Sequence, residues 1–166
     1  MSKDKFGNSR KASHLGELPE WGLESKDDTL TKRCKFNFSY FCKQPGVGKH
    51  FGDLSKAELN DLFEKILGFC QESLLYWQKQ KHGVSATLRI YKNFPTDSDF
   101  SHPKHVPHDV HWGRFRMSGD VRLAGFVVPA ELHGTMHNTT NVAFDCNTFY
   151  AVFIDDAHRF YKSKKK

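Results

Sequence analysis

The stretch Trp112-Gly113-Arg114-Phe115-Arg116-Met117-Ser118-Gly119-Asp120-Val121-Arg122-Leu123-Ala124-Gly125-Phe126-Val127-Val128 decides the fold. Successive side chains of an extended chain point to opposite faces, so Arg114 and Arg116 share one face and Phe115 and Met117 the other. Ser118-Gly119-Asp120 is a turn signal. Val121 to Val128 resumes the apolar strand until Pro129 stops it. Two strands with a short polar turn between them read as a hairpin, which brings Arg122 to the arginine face.

On the C-terminal side, Thr148-Phe149-Tyr150-Ala151-Val152-Phe153-Ile154 is a continuous apolar run, which suits a central strand buried on both faces. On the N-terminal side, Val84 to Tyr91 reads as a strand. Lys35 to Phe41 alternates aromatic with polar residues, as a half-buried strand does. Between them, Ser55 and Glu58 form an S-x-x-E capping box with Leu54 and Leu59 as its hydrophobic staple. Leu59, Leu62, Phe63, Ile66, Leu67, Cys70, Leu74 and Trp77 then keep helical spacing. The expected fold is α+β: a small, mostly antiparallel, curved sheet with a long helix of about residues 55–81 on one face, open to a break near Gly68. The expected core is Phe36, Phe38, Leu62, Phe63, Ile66, Leu67, Cys70, Leu74, Leu88, Ile90, Phe126, Val152 and Ile154.

Composition sets the class. The chain has 166 residues, 38% hydrophobic and 14% aromatic, with 15 Phe, which is no disordered composition. No run of 18 apolar residues exists, so no membrane partner is expected. No apolar segment of signal-peptide length opens the chain, so a cytoplasmic location is expected. Residues 1–30 are polar and read as a flexible arm, residues 31–162 as a single domain, and residues 163–166 as a basic tail. The piece Leu15 to Leu23, with Trp21, either docks on the domain or binds a partner. Cys34, Cys42, Cys70 and Cys146 form no C-x-x-C pair and read as reduced thiols. The net charge is +6, and the excess gathers in residues 112–166.

Two constellations could carry chemistry. His102, His105, His108 and His111 recur every third residue, and neutral imidazoles bind zinc, copper or nickel. Pro103 and Pro107 exclude a regular helix that would stack them, so the series is either a metal site or a polar loop. The second constellation joins Arg114, Arg116 and Arg122 to His158, Arg159, Tyr161 and Lys162, which follow the apolar strand. RNA cleavage needs such an inventory. The 2′-hydroxyl must lose a proton and attack the adjacent phosphate, cationic side chains can stabilise the transition state, and a His can move the proton. The plain alternative is a ladder of solvent-facing arginines paired with Asp120, Asp155 or Asp156.

The order strand, helix, strand, hairpin, apolar strand, then His with Tyr resembles the RelE/ParE/HigB-type toxin fold. The stretches that carry the resemblance are Arg114-Phe115-Arg116-Met117-Ser118-Gly119-Asp120-Val121-Arg122, Phe149 to Asp155, and His158 to Lys162. The resemblance implies an endoribonuclease that needs no metal or other cofactor. It would cleave mRNA, on the ribosome or free, under control of a partner antitoxin. Arg116, Arg122, His158 and Tyr161 would be catalytic, and Arg114, Arg159 and Lys162 would bind RNA. The chain departs from the family in its N-terminal arm, its His-rich loop and the long connection between Pro129 and Asn147. Two alternatives stay open: a non-catalytic module binding nucleic acid or protein through a basic sheet face, and a metal-binding protein using the His loop. Three weaker signals carry no function. Gly46-Val47-Gly48-Lys49 lacks the full phosphate-loop pattern, Asn37 and Asn138 open glycosylation triplets without an export signal, and Asp155-Asp156 reads as a strand-end turn.

Overall fold

The computed structural model describes residues 22–24, 29–83 and 85–162. The expected arm, apart from residues 22–24 and 29–30, and the basic tail at 163–166 lie outside the described residues. The chain divides into two compact units between Thr31 and Lys32, and the second unit carries the sheet.

Among the described residues, seven strands and two α-helices build this unit. They are β1 (Lys35–Asn37), α1 (Lys56–Phe69), α2 (Leu74–Lys79), β2 (Lys81–His82), β3 (Ser85–Ala86), β4 (Leu88–Lys92), β5 (His111–Arg116), β6 (Arg122–Val127) and β7 (Thr148–Asp155). Five strands form one mixed sheet in the order β1-β7-β6-β5-β4, and β2 pairs with β3 in a separate two-stranded hairpin. The pairings β4–β5, β5–β6 and β6–β7 are antiparallel, while β1 lies parallel to β7. The α+β class and the central hairpin of the sequence are present. Gly119, at φ 56°, makes the turn between β5 and β6, as a left-handed position requires.

The single long helix does not form. α1 ends at Phe69, and α2 starts anew at Ser73, whose hydroxyl accepts from the Tyr76 amide. The break falls after the expected Gly68, because a second N-cap competes with helix continuation there. The start of α1 is as expected: Ser55 Oγ accepts from Glu58 N and the Glu58 carboxylate accepts from Ser55 N. Leu62, Ile66 and Phe69 face the sheet, whereas Phe63 and Leu67 are 47% and 57% exposed and leave the expected core. They sit one residue, about 100°, round the helix from the buried stripe.

The sheet is covered on both faces. On the helix side Leu62, Ile66, Phe69 and Leu74 pack on Leu88, Phe115, Leu123, Phe149 and Ile154. On the other side the long segment 93–110 folds back, and its Phe100, Val106 and Val110 pack with Trp112, Phe126, Phe153 and the later Phe160. That second layer was invisible to periodicity, because its apolar residues keep no period. A bulge serves both layers. Ala124 faces Phe153 and Gly125 faces Ala151, so Val152 is the extra residue in β7. Its carbonyl accepts from Cys42 N. A Cβ on Gly125 would lie 2.1 Å from the Tyr150 oxygen, so only glycine fits that close approach.

Candidate functional site

Along the face that carries the second layer, apolar cover ends and charge begins. Trp112 is buried beneath the 93–110 segment, and the next two residues of its parity on β5 are Arg114 and Arg116. Cross-strand register completes the set. Arg116 faces Arg122 of β6, and Arg89 of β4 faces Arg114. All four line one shallow recess, bordered by Ser85 and Ala86 of the small hairpin.

Like charges directly opposite one another on neighbouring strands destabilise a sheet. Among the described residues no carboxylate forms an ion pair with any of the four, whereas several other cations of the domain are paired. Lys35 pairs with Asp145, Lys43 with Asp53, Lys49 with Glu58, Arg159 with Asp156 and Lys162 with Asp99. Of the expected ladder of Arg114, Arg116 and Arg122 paired with Asp120, Asp155 or Asp156, only one rung is present: Arg122 stands opposite Asp155 of β7, without an ion-pair contact between them. Arg122 is 6% exposed, and its guanidinium donates to the Gly119 and Val121 carbonyls. Burial, then the charges of Arg114 and Arg116, push its pKa down, against the pull of Asp120 and Asp155.

The sequence-expected residues fall into three groups. Arg114, Arg116, Arg122 and His158 gather: His158 Nε2 lies 3.4 Å from Arg122 Nη2 and 3.1 Å from Asp120 Oδ1. His158 is held there at φ 54°, because buried Asp155 accepts from Ala157, Arg159 and Phe160 amides and fixes the turn around it. Tyr161 stands on the other flank, stacked at 4.4 Å on Tyr91, with the Arg114 guanidinium 5.9 Å from its ring. Arg159 and Lys162 are held by Asp156 and Asp99, and Arg159 also donates to the Gly46 carbonyl.

Arg89 and Tyr91 belong to the site and were missed. Their alternation with Leu88 and Ile90 was legible, but the pairing of β4 with β5 was not, and that pairing sets Arg89 beside Arg114. Tyr91 Oη and Arg114 Nη1 are both buried here, and the arginine acts on the phenol by its charge and by hydrogen bonding. Burial raises the Tyr91 pKa, so the phenol stays neutral.

The other candidates disperse. His102 stacks on His108 at 4.7 Å and contacts its neighbour's carbonyl at Pro103. His105 turns away to the Tyr40 carbonyl. Among the described residues no three His, Cys, Asp or Glu side chains gather as a metal would need. Burial raises all four thiols, Cys34 to about 12, so none is poised as a nucleophile at neutral pH. Lys49 of the glycine-rich turn pairs with Glu58, and Gly48 packs under Phe100. No described helix is long and apolar enough to cross a membrane. The fold and site together define an α+β domain with four arginines gathered at one end of its sheet. Comparison with protein-family models, with curated proteins and with solved structures finds no match.

Proposed function

We propose that this chain binds RNA, with the Arg89, Arg114, Arg116 and Arg122 recess contacting its phosphates. One observation carries the reading: four arginines, set opposite one another in two cross-strand pairs, line one recess with no carboxylate in ion-pair contact with any of them among the described residues, an arrangement that a polyanion relieves. The stacked Tyr91 and Tyr161 beside the arginines support a nucleic acid over an acidic protein, since bases stack on such rings. The test is titration of a labelled RNA 12-mer, read by fluorescence anisotropy, with wild type and an Arg89→Gln/Arg114→Gln/Arg116→Gln variant. Binding that weakens with salt, and by tenfold or more in the folded variant, is expected. Equal affinity of the two proteins would overturn the reading.

A second reading rests on a separate observation, the contact of His158 with both Arg122 and Asp120. It is a toxin-type endoribonuclease that works without a metal and is restrained by an antitoxin. In it His158 takes the 2′-hydroxyl proton, the 2′-oxygen attacks the adjacent phosphorus, and Arg116 and Arg122 stabilise the charge that develops. The 5′-oxygen leaves with a proton from the Tyr161 phenol, a 2′,3′-cyclic phosphate remains, and solvent carries the proton on His158 back to Tyr161. Arg114, Arg159 and Lys162 hold the strand. Primer extension on a defined mRNA in EDTA, with and without ribosomes, should show discrete cuts that disappear in His158→Ala. Intact RNA in every lane removes catalysis and leaves binding.

A further inference from the structure

Next to the arginine recess, and sharing Arg89 with it, lies an open cleft of about 640 Å³ lined by Tyr91, Asn93, Phe94, Asp97, Tyr161 and Lys162, among others. Its volume is in the range of small-ligand sites. Its floor is aromatic: Tyr91 stacks on Tyr161, and Phe94 is locked edge-on against Trp112 at 4.8 Å and Phe160 at 5.6 Å. Its rim is polar. The side chains of Asn93, Thr96 and Asp97 make no hydrogen bond or ion pair with the described residues. Tyr91 and Tyr161 face each other and the Arg89 and Arg114 guanidiniums, so the cleft presents ring edges with free amide, hydroxyl and carboxylate groups above them, a donor–acceptor set that the edge of a nucleobase satisfies.

The backbone is shaped for this rim. The register of β4 slips between Ile90 and Lys92, and Lys92 sits at φ 68°. Bulges re-aim the side chains that follow them, and a lysine in the left-handed region is a strained choice that tends to persist at functional sites. The strain lies at the point where the chain leaves the arginine strand and turns along the cleft.

We infer that this cleft is a subsite for one unpaired base of the bound RNA, adjacent to the phosphates held by the arginines. The inference rests on the RNA-binding reading and names what that reading leaves open, a single strand with an accessible base. In a duplex the base edges are already paired and stacked, so the cleft stays empty and only the phosphate contacts remain.

The test uses the full chain and three probes: a single-stranded RNA octamer, its blunt duplex, which carries twice the phosphates, and a set of octamers with one abasic position moved along the strand. An abasic position that weakens binding about tenfold is expected at one site of the octamer, with the duplex weakened at least as much. In Asn93→Ala/Asp97→Ala that abasic penalty should shrink to under twofold, while the salt dependence of binding is unchanged. A set of abasic probes that all bind within twofold of the intact octamer, salt dependence intact, overturns the subsite and leaves RNA binding standing. No salt-sensitive binding of any probe overturns both. The alanine pair is exposed, so the variant folds, and circular dichroism of it checks this.

Discussion

A single carboxylate holds the candidate site in place. Asp155 ends β7 fully buried, and its two oxygens accept from the amides of Ala157, Arg159 and Phe160. That network turns the chain so that Phe160 enters the second core layer and His158 meets Arg122. Asp155→Ala strands three amide donors, each costing about 1–3 kcal/mol where water cannot reach it. The variant should lose about 3 kcal/mol in urea unfolding. The sequence showed Asp155-Asp156 as a strand-end turn and as candidate partners of the arginines, not as an acceptor of amides. Acceptance by three amides depends on a local backbone path that no residue pattern encodes. Arg89 is the converse case: its face was readable from Leu88-Arg89-Ile90-Tyr91, and only its neighbour was not.

At the scale of elements, legibility followed the range of the interaction. The capping box of α1 and the β5–β6 hairpin are closed by residues near in sequence, and both were readable. The break before α2, expected near Gly68, falls at the local cap of Ser73, whereas the parallel pairing of β1 with β7 and the β4–β5 pairing depend on distant partners and were not readable. Phe63 and Leu67 show the limit within one helix, since spacing admits a stripe wider than the sheet covers. The N-terminus of α1 offers a pH test. Hydrogen bonds from Lys49, then from the Ser55 backbone and hydroxyl, lower Glu58 from 4.5 to about 2. A folded pKa below the unfolded one gives stability that is complete above pH 4.5 and is lost as pH falls toward 2. Glu58→Gln keeps an acceptor for the Ser55 amide but not the charge. It should be less stable than wild type at neutral pH, and the gap should close as pH falls through that window. Urea midpoints at pH 7, 4 and 2.5 read this, and a gap independent of pH would show that the charge is immaterial.

Across the whole molecule, the same sheet serves two demands that conflict. Its centre is buried on both faces, by the helices on one side and by the 93–110 segment on the other, and this gives the domain its rigidity. Its arginine end holds four like charges together, which lowers the stability of the free protein. Burial and two neighbouring cations lower the Arg122 pKa, against the pull of Asp120 and Asp155. Replacing Arg114 and Arg116 by Gln should therefore stabilise the free protein, by about 0.5 kcal/mol on the scale of like-charged cross-strand pairs. Ligand linkage reverses the ranking. RNA that binds only the folded state at a hundred times its Kd stabilises wild type by about 2.7 kcal/mol, and the Gln variant binds too weakly to share the gain. Thermal melts of both proteins, without RNA and with it in excess, should cross: the variant melts higher alone and wild type melts higher with RNA. A variant that is less stable than wild type in both conditions would mean that Arg114 and Arg116 act as packing for the sheet, not as a surface held ready for an anion.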